Sequence, residues 1–346
     1  MRVRSATNSF IKTAVVILNW NGRRLLERFV PYLLPTLGEN AQLIVADNAS
    51  TDDSIDWIRR HHPSITLIQN QQNLGFTEGY NQALTGIEAD YFVLLNSDVE
   101  VHEGWLEPLV NAMDTDPMLG ACQPKILWEQ QRELFEYSGA SGGFIDYLGY
   151  PFCRGRIFGS LETDHGQYNE PMEVFWASGA CMMVRAKLFR EIGGFDGSFF
   201  AHMEEIDLCW RIRNAGYNIK CIPASVVYHV GGATLPKNNA GKTFLNFRNN
   251  LTMLWKNLPG SQRMWIIGVR LVLDGVAGIR FLTEGHFKDC WAVARAHFSF
   301  YGRILSGKTK RTIINKTKHA TIYQKSLVWQ HFALGKKKFS ELNFKR

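Results

Sequence analysis

One short stretch of the chain combines a buried strand with side chains that can hold a cation. Residues 90–98 have the sequence Asp-Tyr-Phe-Val-Leu-Leu-Asn-Ser-Asp, an apolar run that leads into Asn96 and Asp98. Apolar runs without alternation are typical of parallel strands covered on both faces. Ligands of open α/β sheets bind outside the carboxyl ends of such strands, and carboxylate oxygens suit Mg²⁺ or Mn²⁺. The same residues are good turn formers, so taken alone they favour a simple turn.

Three other polar segments fall where the carboxyl edge of the same sheet is expected. They begin at Asn19, Ala46 and Asn73, and Asn21 lies within the first of them. Asp47, just past a strand, can accept hydrogen bonds from a nucleobase or ribose. The Asn73 segment is glycine-rich, which allows backbone to approach a ligand closely. No Gly-x-Gly-x-x-Gly or Walker A pattern is present, which argues against dinucleotide and P-loop sites. Four polar segments on one edge therefore predict a ligand site rather than ordinary helix capping.

A second group of carboxylates, Glu204, Glu205 and Asp207, begins a helix predicted over residues 204–215. Residues three apart share a helix face and adjacent residues do not, so Glu204 aligns with Asp207 while Glu205 points elsewhere. Acidic residues near a helix N-terminus also complement the helix dipole. The residues by themselves therefore favour an ordinary helix start over a catalytic group.

The elements that must position these groups alternate between strands and helices. Strands are predicted at 13–18, 42–46, 65–69, 91–95 and 121–127, with helices at about 24–36, 52–61, 77–87 and 103–114. This alternation indicates an α/β fold with a mostly parallel central sheet flanked by helices. Further along, the patterns predict a long loop over 139–159, strand-like runs at 173–185 and 219–230, and helices from residue 242 onward.

Composition limits the class of protein. With 346 residues, 45% of them hydrophobic and 21% charged, the chain can bury a sizeable core and is not expected to be disordered. Its six cysteines are scattered without a Cys-x-x-Cys pair, which argues against a zinc ribbon or redox motif and suits a reducing compartment. Residues 1–12 lack the apolar core of a signal peptide, so we expect a cytoplasmic protein.

The positive charge is concentrated at the C-terminal end. The net charge is +7, and from Gly302 onward twelve Lys or Arg face the single acid Glu341, which gives this tail +11 and leaves −4 for residues 1–301. Such a tail points to an anionic partner, nucleic acid or a membrane surface, or else it is simply solvated. No nucleic-acid-binding motif is recognisable, so a nucleic-acid partner is not expected.

The most hydrophobic stretch, 263–282, contains charges that exclude a simple spanning helix. Arg263, Arg270 and Asp274 fall on one narrow helical face and leave a wide apolar arc. Residues 241–346 are thus predicted to form a helical, amphipathic and basic C-terminal region. A helix lying in the plane of a membrane and a helix packed on the protein core explain the pattern equally well.

Taken in order, the motifs resemble those of family 2 inverting glycosyltransferases of the GT-A fold, especially the rhamnosyltransferase-like branch. The resemblance spans residues 12–255. Its motifs are Val-Val-Ile-Leu-Asn-Trp-Asn-Gly, Val-Ala-Asp-Asn-Ala-Ser-Thr-Asp, Asn-Leu-Gly-Phe and Leu-Leu-Asn-Ser-Asp, then Trp-Ala-Ser-Gly-Ala, Gly-Gly-Phe-Asp, Glu-Glu-Ile-Asp-Leu-Cys-Trp-Arg and His-Val-Gly-Gly. It implies a GT-A catalytic domain over residues 1–240, with a donor half at about 12–128 and an acceptor half at about 129–240.

The resemblance also implies roles for individual residues. A nucleotide-diphosphate sugar would be bound by Asn19, Asn21, Asp47, Asn73, Gly75, Asn96 and Asp98. In the family's Asp-x-Asp motif the first position is Asn96 here, so Asp98 would carry most of the binding of Mg²⁺ or Mn²⁺, with His229 at the position of an imidazole ligand. The catalytic base maps onto Glu205, where the family usually has Asp. The acceptor side would be formed by Trp176, Ser178, Gly179, Glu204 and Asp207.

The activity implied by the resemblance is metal-dependent, inverting transfer of a single sugar, with rhamnose as a candidate. The acceptor would be a glycan or a polyprenyl-linked saccharide in cell-surface polysaccharide synthesis, reached at the inner face of the membrane. The Gln-x-x-Arg-Trp motif of processive synthases is missing, so single transfer is expected. Two alternatives stay open. The departures at Asn96 and Glu205 would suit a catalytically silent sugar-nucleotide or glycan-binding protein. A nucleotidyltransferase would need a Gly-rich basic loop after the first strand, where this chain has Asn-Trp-Asn-Gly.

Overall fold

A mixed ten-stranded sheet forms the centre of the protein, whose computed structural model describes residues 11–231, 239–307, 309, 311–312 and 319–344. Its first half contains β1 (Ile11–Asn19), β2 (Ala41–Asp47), β3 (Thr66–Gln69) and β4 (Ala89–Leu95). Strand β1 lies between β2 and β4 and is parallel to both, and β3 continues the sheet parallel to β2. Helices cover both faces, so the strands are apolar without alternation.

The helices that connect these strands are α1 (Arg23–Leu33), α2 (Ser54–His61), α3 (Gly75–Leu84) and α4 (Glu107–Thr115). One core lies on the side of the sheet that contains Tyr80 and Phe92, and the other contains Leu26 and Trp57. The predicted strand and helix order of this half is confirmed, with boundaries that differ by a few residues.

The remaining strands are β5 (Val99–Val101), β6 (Leu119–Trp128), β7 (Gln131–Phe135), β8 (Gly143–Asp146), β9 (Pro151–Cys153), β10 (Arg156–Ile157), β11 (Ser160–Leu161), β12 (Met172–Glu173), β13 (Cys181–Arg185), β14 (Asn218–His229) and β15 (Ile322–Tyr323). Strand β13 pairs antiparallel with β4 and sets Cys181 opposite Leu95. Strand β14 is parallel to β6 and antiparallel to β5, with His229 opposite Val99. These pairings bring the later motifs to the edge where β4 ends.

The prediction of a long loop over residues 139–159 is wrong, because part of this segment forms a second, five-stranded sheet. The strand order is β11-β10-β9-β8-β15, so its last strand comes from far along the chain. Phe144 and Phe152 pack against Phe339 and Phe344 near the C-terminal end. The strands are not recognisable in this glycine-rich sequence, because β15 and the aromatic side chains that pack on them are remote in sequence.

The later helices are α5 (Ala186–Glu191), α6 (Glu204–Asn214), α7 (Ala240–Asn257), α8 (Gly260–Thr283) and α9 (Phe287–Leu305). Beyond α9 the described chain contains β15, a π-helical turn at Trp329–Ala333 and a 3₁₀ turn at Phe339–Leu342, so the predicted helical character ends at Leu305. Within the described chain, no helix combines the length and hydrophobicity that crossing a bilayer requires.

A buried ionic cluster fastens α7 to α6. Asp207 is fully buried, and its oxygens lie 2.9 Å from Lys256 Nζ, 2.8 Å from Arg211 Nε and 2.8 Å from Asn257 Nδ2. Lys256 Nζ also lies 2.5 Å from Asp196 Oδ2. Because these pairs cross residue 240, α7 is packed into the acceptor half, and the division of the chain at that residue stays a prediction.

Substituting Lys256 by Met should lower the free energy of unfolding by about 3 kcal/mol, because it leaves Asp207 buried without one of its cations. Urea denaturation followed by circular dichroism measures the change. The matched control is Lys187→Met, which removes an 87% exposed side chain from a surface pair with Glu191 and should cost less than about 1 kcal/mol. Equal losses in the two variants would contradict a stabilising role for the buried cluster.

Candidate active site

The carboxyl ends of β1 and β2 bring two of the predicted donor residues into contact. Asn19 donates from Nδ2 to Asp47 Oδ1 at 3.0 Å and to Ser50 Oγ at 3.1 Å. Asp47 Oδ2 accepts from the backbone N–H of Ser50 at 2.9 Å, and Asn21 Oδ1 accepts from the N–H of Thr51 at 2.7 Å. The two loops are thereby fixed to each other. Since each carboxylate oxygen has two lone pairs, buried Asp47 can still accept a hydrogen bond from a ligand.

Asn48, which the sequence reasoning did not single out, connects this edge to the segment that opens α3. Its Nδ2 donates to Asn73 Oδ1 and to the carbonyl of Gly75, each at 3.0 Å. Its Oδ1 accepts from Asn70 Nδ2 at 3.1 Å. The amide is almost fully buried and uses both its donors and its acceptor, so Asn73 and Gly75 are held beside Asp47. Its position next to Asp47 in the motif was the available signal.

At Gly75 both the backbone conformation and the neighbouring ring of Phe200 exclude a side chain. Its φ is +73°, and a Cβ atom there would lie 2.5 Å from the ring of Phe200. The carbonyl of Phe200 accepts from the N–H of Phe76 at 2.9 Å. The start of α3 is therefore in direct contact with the loop that precedes α6, so the donor and acceptor halves meet here.

Asp98 and His229 are brought together by the pairing of β14 with β5. His229 Nε2 lies 3.1 Å from Asp98 Oδ1, and His229 Nδ1 lies 3.2 Å from Glu136 Oε2. All three side chains are nearly buried. Burial opposes a charged imidazole, but the carboxylates of Asp98 and Glu136 outweigh it and raise the pKa of His229 to about 10. Burial also opposes the charged form of Asp98 and by itself would raise its pKa, yet the attraction of His229 holds that pKa below its usual range.

This pair has the chemistry to bind a divalent cation, provided that His229 Nε2 releases its proton when the ion binds. A carboxylate and a neutral imidazole nitrogen are suitable ligands for Mn²⁺, and the motif offers the amide oxygen of Asn96 as a further oxygen donor. Glu136 on the other ring nitrogen is the kind of partner that orients metal-bound histidines. Among the described residues no group of three or more His, Cys, Asp or Glu side chains is arranged to hold a metal. An ion here would therefore take its other ligands from a bound diphosphate or water. Glu136 was missed because no motif marks it.

Glu205 is a half-buried carboxylate with unused acceptor capacity. Its Oε2 and that of Glu204 are buried without a hydrogen-bond partner. Burial raises the pKa of Glu205 to about 7, and burial together with the neighbouring charge of Glu205 raises the pKa of Glu204 well above its ordinary value. A carboxylate with a pKa near 7 can accept a proton at neutral pH. Glu205 is therefore suited to general-base chemistry.

Gly179 places Glu205 close to the end of β4. A Cβ atom at Gly179 would lie 3.8 Å from the Cβ of Glu205, an ordinary van der Waals distance, so the two residues adjoin each other. The next residue, Ala180, accepts from the N–H of Asn96 at 2.9 Å. The segment 179–180 therefore adjoins both Glu205 and the Asn96–Asp98 turn.

The loop before α6 is strained and is held by α7. Phe200, His202 and Met203 have φ values of +68°, +67° and +71°, which side chains rarely adopt. Asn249 donates from Nδ2 to the carbonyls of residues 199, 201 and 202 at 3.0, 2.8 and 2.8 Å, and Arg248 donates to the carbonyl of residue 199 at 3.0 Å. Strain of this kind persists only where its surroundings enforce it. Arg248 and Asn249 thus fix the loop that leads to Glu205.

Three of the predicted acceptor residues are engaged within the protein. Asp207 belongs to the ionic cluster with Lys256. Trp176 is 3% exposed and donates from Nε1 to the carbonyl of Phe144 at 2.9 Å. Ser178 donates from Oγ to the carbonyl of Ser138 at 2.5 Å. By contrast, Gly179 and Glu204 adjoin Glu205, and the acceptor roles of all five residues stay predictions. Gly232 of the His-Val-Gly-Gly motif lies outside the described residues.

Comparison of the amino-acid sequence with known families and proteins finds glycosyltransferases. The family model described as "Glycosyl transferase family 2" matches residues 14–193. The N-acetylglucosaminyl-diphospho-decaprenol L-rhamnosyltransferase of Mycobacterium tuberculosis is 27% identical over 283 residues, which cover 77% of this chain and 90% of that protein. The low-salt glycan biosynthesis hexosyltransferase Agl10 of Haloferax volcanii is 24% identical over 278 residues, which cover 78% of this chain and 85% of that protein.

Solved structures show the same fold. GalNAc-T7 with UDP, GalNAc and Mn²⁺ has a TM-score of 0.54 at 16% identity, covering 71% of this chain and 48% of that chain. The mannosyltransferase PcManGT of Pyrobaculum calidifontis, in complex with GDP-Man and Mn²⁺, has a TM-score of 0.51 at 16% identity, covering 85% of this chain and 88% of that chain. The GT-A fold expected from the motifs is thus confirmed.

The stability of the Glu204→Gln variant relative to the wild type should increase as the pH rises. At acidic pH the carboxyl is protonated in both the folded and the unfolded chain and adds no cost. Above its ordinary pKa the unfolded chain loses the proton while the folded chain, whose pKa is raised, keeps it, so the stability of the wild type falls with increasing pH. Urea denaturation between about pH 5 and about pH 8 should therefore show a smaller decline for Glu204→Gln.

The control for this measurement is Glu107→Gln, which alters an exposed acid in the first turn of α4. This variant should follow the pH dependence of the wild type. If Glu204→Gln does so as well, the burial of Glu204 does not affect folding.

Proposed function

Because the chain belongs to glycosyl transferase family 2, we propose that it transfers a single sugar, with inversion, from a nucleotide-diphosphate donor to a glycan or polyprenyl-linked saccharide. The observation that carries the proposal is that Glu205 and the Asn96–Asp98 turn both adjoin segment 179–180. The closeness of Gly179 to Glu205 and the hydrogen bond from the N–H of Asn96 to Ala180 define it. Glu205, whose pKa is about 7, thus lies near the Asn96–Asp98 turn, to which we assign the diphosphate of the donor.

The residues divide the reaction between them. Asp47 and the segment at Asn73 bind the nucleoside along the sheet edge. Glu205 removes the proton of the acceptor hydroxyl as its oxygen attacks the sugar carbon from the side opposite the departing diphosphate. A divalent cation held by Asp98 and His229, Mg²⁺ or Mn²⁺, would stabilise the negative charge of that leaving group. The strained loop and its Asn249 hydrogen bonds hold Glu205 in place for this proton transfer.

The relatives guide the choice of sugar and acceptor. The mycobacterial relative is named for rhamnosyl transfer to an N-acetylglucosaminyl-diphospho-decaprenol, and the archaeal one for hexosyl transfer in glycan biosynthesis. We therefore propose rhamnose as the first donor sugar to test, a polyprenyl-diphosphate-linked saccharide as acceptor, and a place in cell-surface polysaccharide synthesis at the inner face of the cell membrane. Release of nucleoside diphosphate from a panel of nucleotide sugars tests the donor.

The metal ligands are tested by direct binding. In the presence of a nucleoside diphosphate, Asp98→Asn and His229→Ala should each weaken Mn²⁺ binding roughly 10- to 100-fold, measured by the electron paramagnetic resonance of free Mn²⁺. Asp90→Asn, an exposed residue at the opposite end of β4, is the control and should bind as the wild type does. Unchanged affinity in Asp98→Asn would exclude Asp98 as the principal ligand.

The base is tested by turnover. Glu205→Gln should lower kcat by at least about 10²-fold, since it cannot accept a proton, while Glu205→Asp should retain part of the activity. The rate of the wild type should fall as the pH drops through about 7, because protonated Glu205 is inactive. Glu191→Gln, on the surface of α5, serves as control. Full turnover by Glu205→Gln would assign the base to another group. Tight nucleotide binding without turnover by the wild type would instead favour a silent sugar-nucleotide-binding protein.

A further inference from the structure

Helix α8 turns its apolar side to solvent and its charged side to the protein. From Met264 to Ile279 every exposed residue is apolar or glycine. These residues are Met264, Trp265, Gly268, Val272, Gly275, Val276 and Ile279. The two charged residues of the same stretch, Arg270 and Asp274, are 3% and 1% exposed. A helix on the surface of a water-soluble protein normally has the opposite orientation.

The buried charges explain why the helix adopts this orientation. Arg270 Nη1 donates to Asn250 Oδ1 at 2.5 Å and to the carbonyl of Leu148 at 2.9 Å, and its guanidinium lies 3.8 Å from the ring centre of Tyr150. Asp274 lies 3.4 Å from Arg270 Nη2. The narrow charged face predicted from the sequence is therefore the one packed on the protein, and the wide apolar arc is left outside.

Helix α9 extends this apolar surface. Its exposed side chains include Phe287, Trp291, Phe298, Tyr301 and Leu305, which recur at helical spacing along one side. Gly278 faces Cys290 and Asp274 pairs with His297, so the two helices run antiparallel. Viewed down each helix from its N-terminus, the exposed stripe is rotated by about 100° from the residues that contact the other helix. The direction of this rotation is the same in both helices. In an antiparallel pair both stripes then fall on the same side of the hairpin.

The segment after β15 adds aromatic and basic groups at one end of the hairpin. Trp329, Phe332 and Leu334 are 62%, 55% and 54% exposed, and the Phe332 ring centre is 5.4 Å from the Arg280 guanidinium at the end of α8. Exposed cations on these segments are Arg280, Lys288, Arg295, Lys325, Lys337 and Lys338. Two exposed acids accompany them: Glu284 is paired with Arg280, and Glu341 accepts hydrogen bonds from the backbone N–H groups of Lys337 and Lys338. We call the exposed apolar residues of α8, α9 and Trp329–Leu334 the apolar face.

We infer that the apolar face docks on the surface of an anionic lipid bilayer. Exposed Trp, Phe and Tyr bordered by Lys and Arg are the composition of surfaces that enter the headgroup region. The cations provide complementary charge for anionic lipids, which an apolar contact between two copies would not require. Contiguous apolar surface on this scale marks an interaction site in soluble proteins.

The far end of the apolar face lies beside the candidate active site. Arg303, in the last turn of α9, donates from Nη1 to the carbonyl of Ser198 at 2.8 Å. Ser198 belongs to the segment that leads into the strained loop before Glu205. A bilayer on the apolar face would hold a lipid-linked acceptor near Glu205, and this consequence alone rests on the proposed function. Docking itself does not.

Vesicle sedimentation of the full chain tests the inference. Vesicles of phosphatidylcholine alone and with about 30% phosphatidylglycerol separate apolar from electrostatic binding. The variant W265S/V272S/I279S should weaken binding to both kinds of vesicle by more than about tenfold. The variant K337Q/K338Q should weaken binding only to anionic vesicles, roughly 5- to 30-fold. The control Y32S/M118S changes two residues of the donor half that are 66% and 50% exposed, and it should bind as the wild type does.

The outcomes separate docking from catalysis. All variants are compared by circular dichroism and by nucleoside-diphosphate release without vesicles, which the substitutions should leave unchanged. Binding by W265S/V272S/I279S that equals the wild type overturns the inference, as does a wild-type dimer that becomes monomeric in this variant and never sediments with vesicles. Vesicle binding in a protein that turns over no donor would leave the inference standing and remove the proposed function.

Discussion

The antiparallel pairing of β13 with β4 is the interaction on which the site depends. It sets Cys181 opposite Leu95 and joins Ala180 to Asn96, so that one sheet carries groups from both halves of the chain. Without this register, the end of β4 would not be joined to the segment that adjoins Glu205, although β14 would still place His229 beside Asp98. With it, segment 179–180 adjoins both the end of β4 and Glu205.

The site contains several unfavourable features that the surrounding structure offsets. Two carboxylate oxygens are buried without partners, and three residues of the loop before α6, Phe200, His202 and Met203, have positive φ. Helix α7 compensates through Asn249, which satisfies three loop carbonyls, and through Lys256 and Asn257, which satisfy Asp207. The start of the C-terminal region is thus part of the support of the site.

Helices α8 and α9 differ from α7 because they expose large apolar side chains to solvent. Burying Arg270 and Asp274 is costly unless each is paired, and both are paired with each other and with neighbouring polar groups. The same orientation leaves large apolar side chains in water, which is also costly for an isolated protein. The two facts are compatible if the apolar face has a partner. A bilayer would remove that apolar surface from water and let the surrounding cations contact lipid headgroups.

The sequence alone determined the parallel half of the sheet and the identity of most polar groups on its edge. Those features follow from local periodicity and from short motifs, in which neighbouring residues in the chain remain neighbours in the fold. It did not predict the five-stranded sheet formed by residues 143–161 and β15, the contact of Glu136 with His229, or the partners of Arg248 and Asn249. Each of these depends on residues that are distant in sequence, so no local pattern contains them. The helical period placed Arg270 and Asp274 on one face of α8, but only tertiary packing decided that this face is buried, because its partners Asn250 and Tyr150 come from elsewhere in the chain.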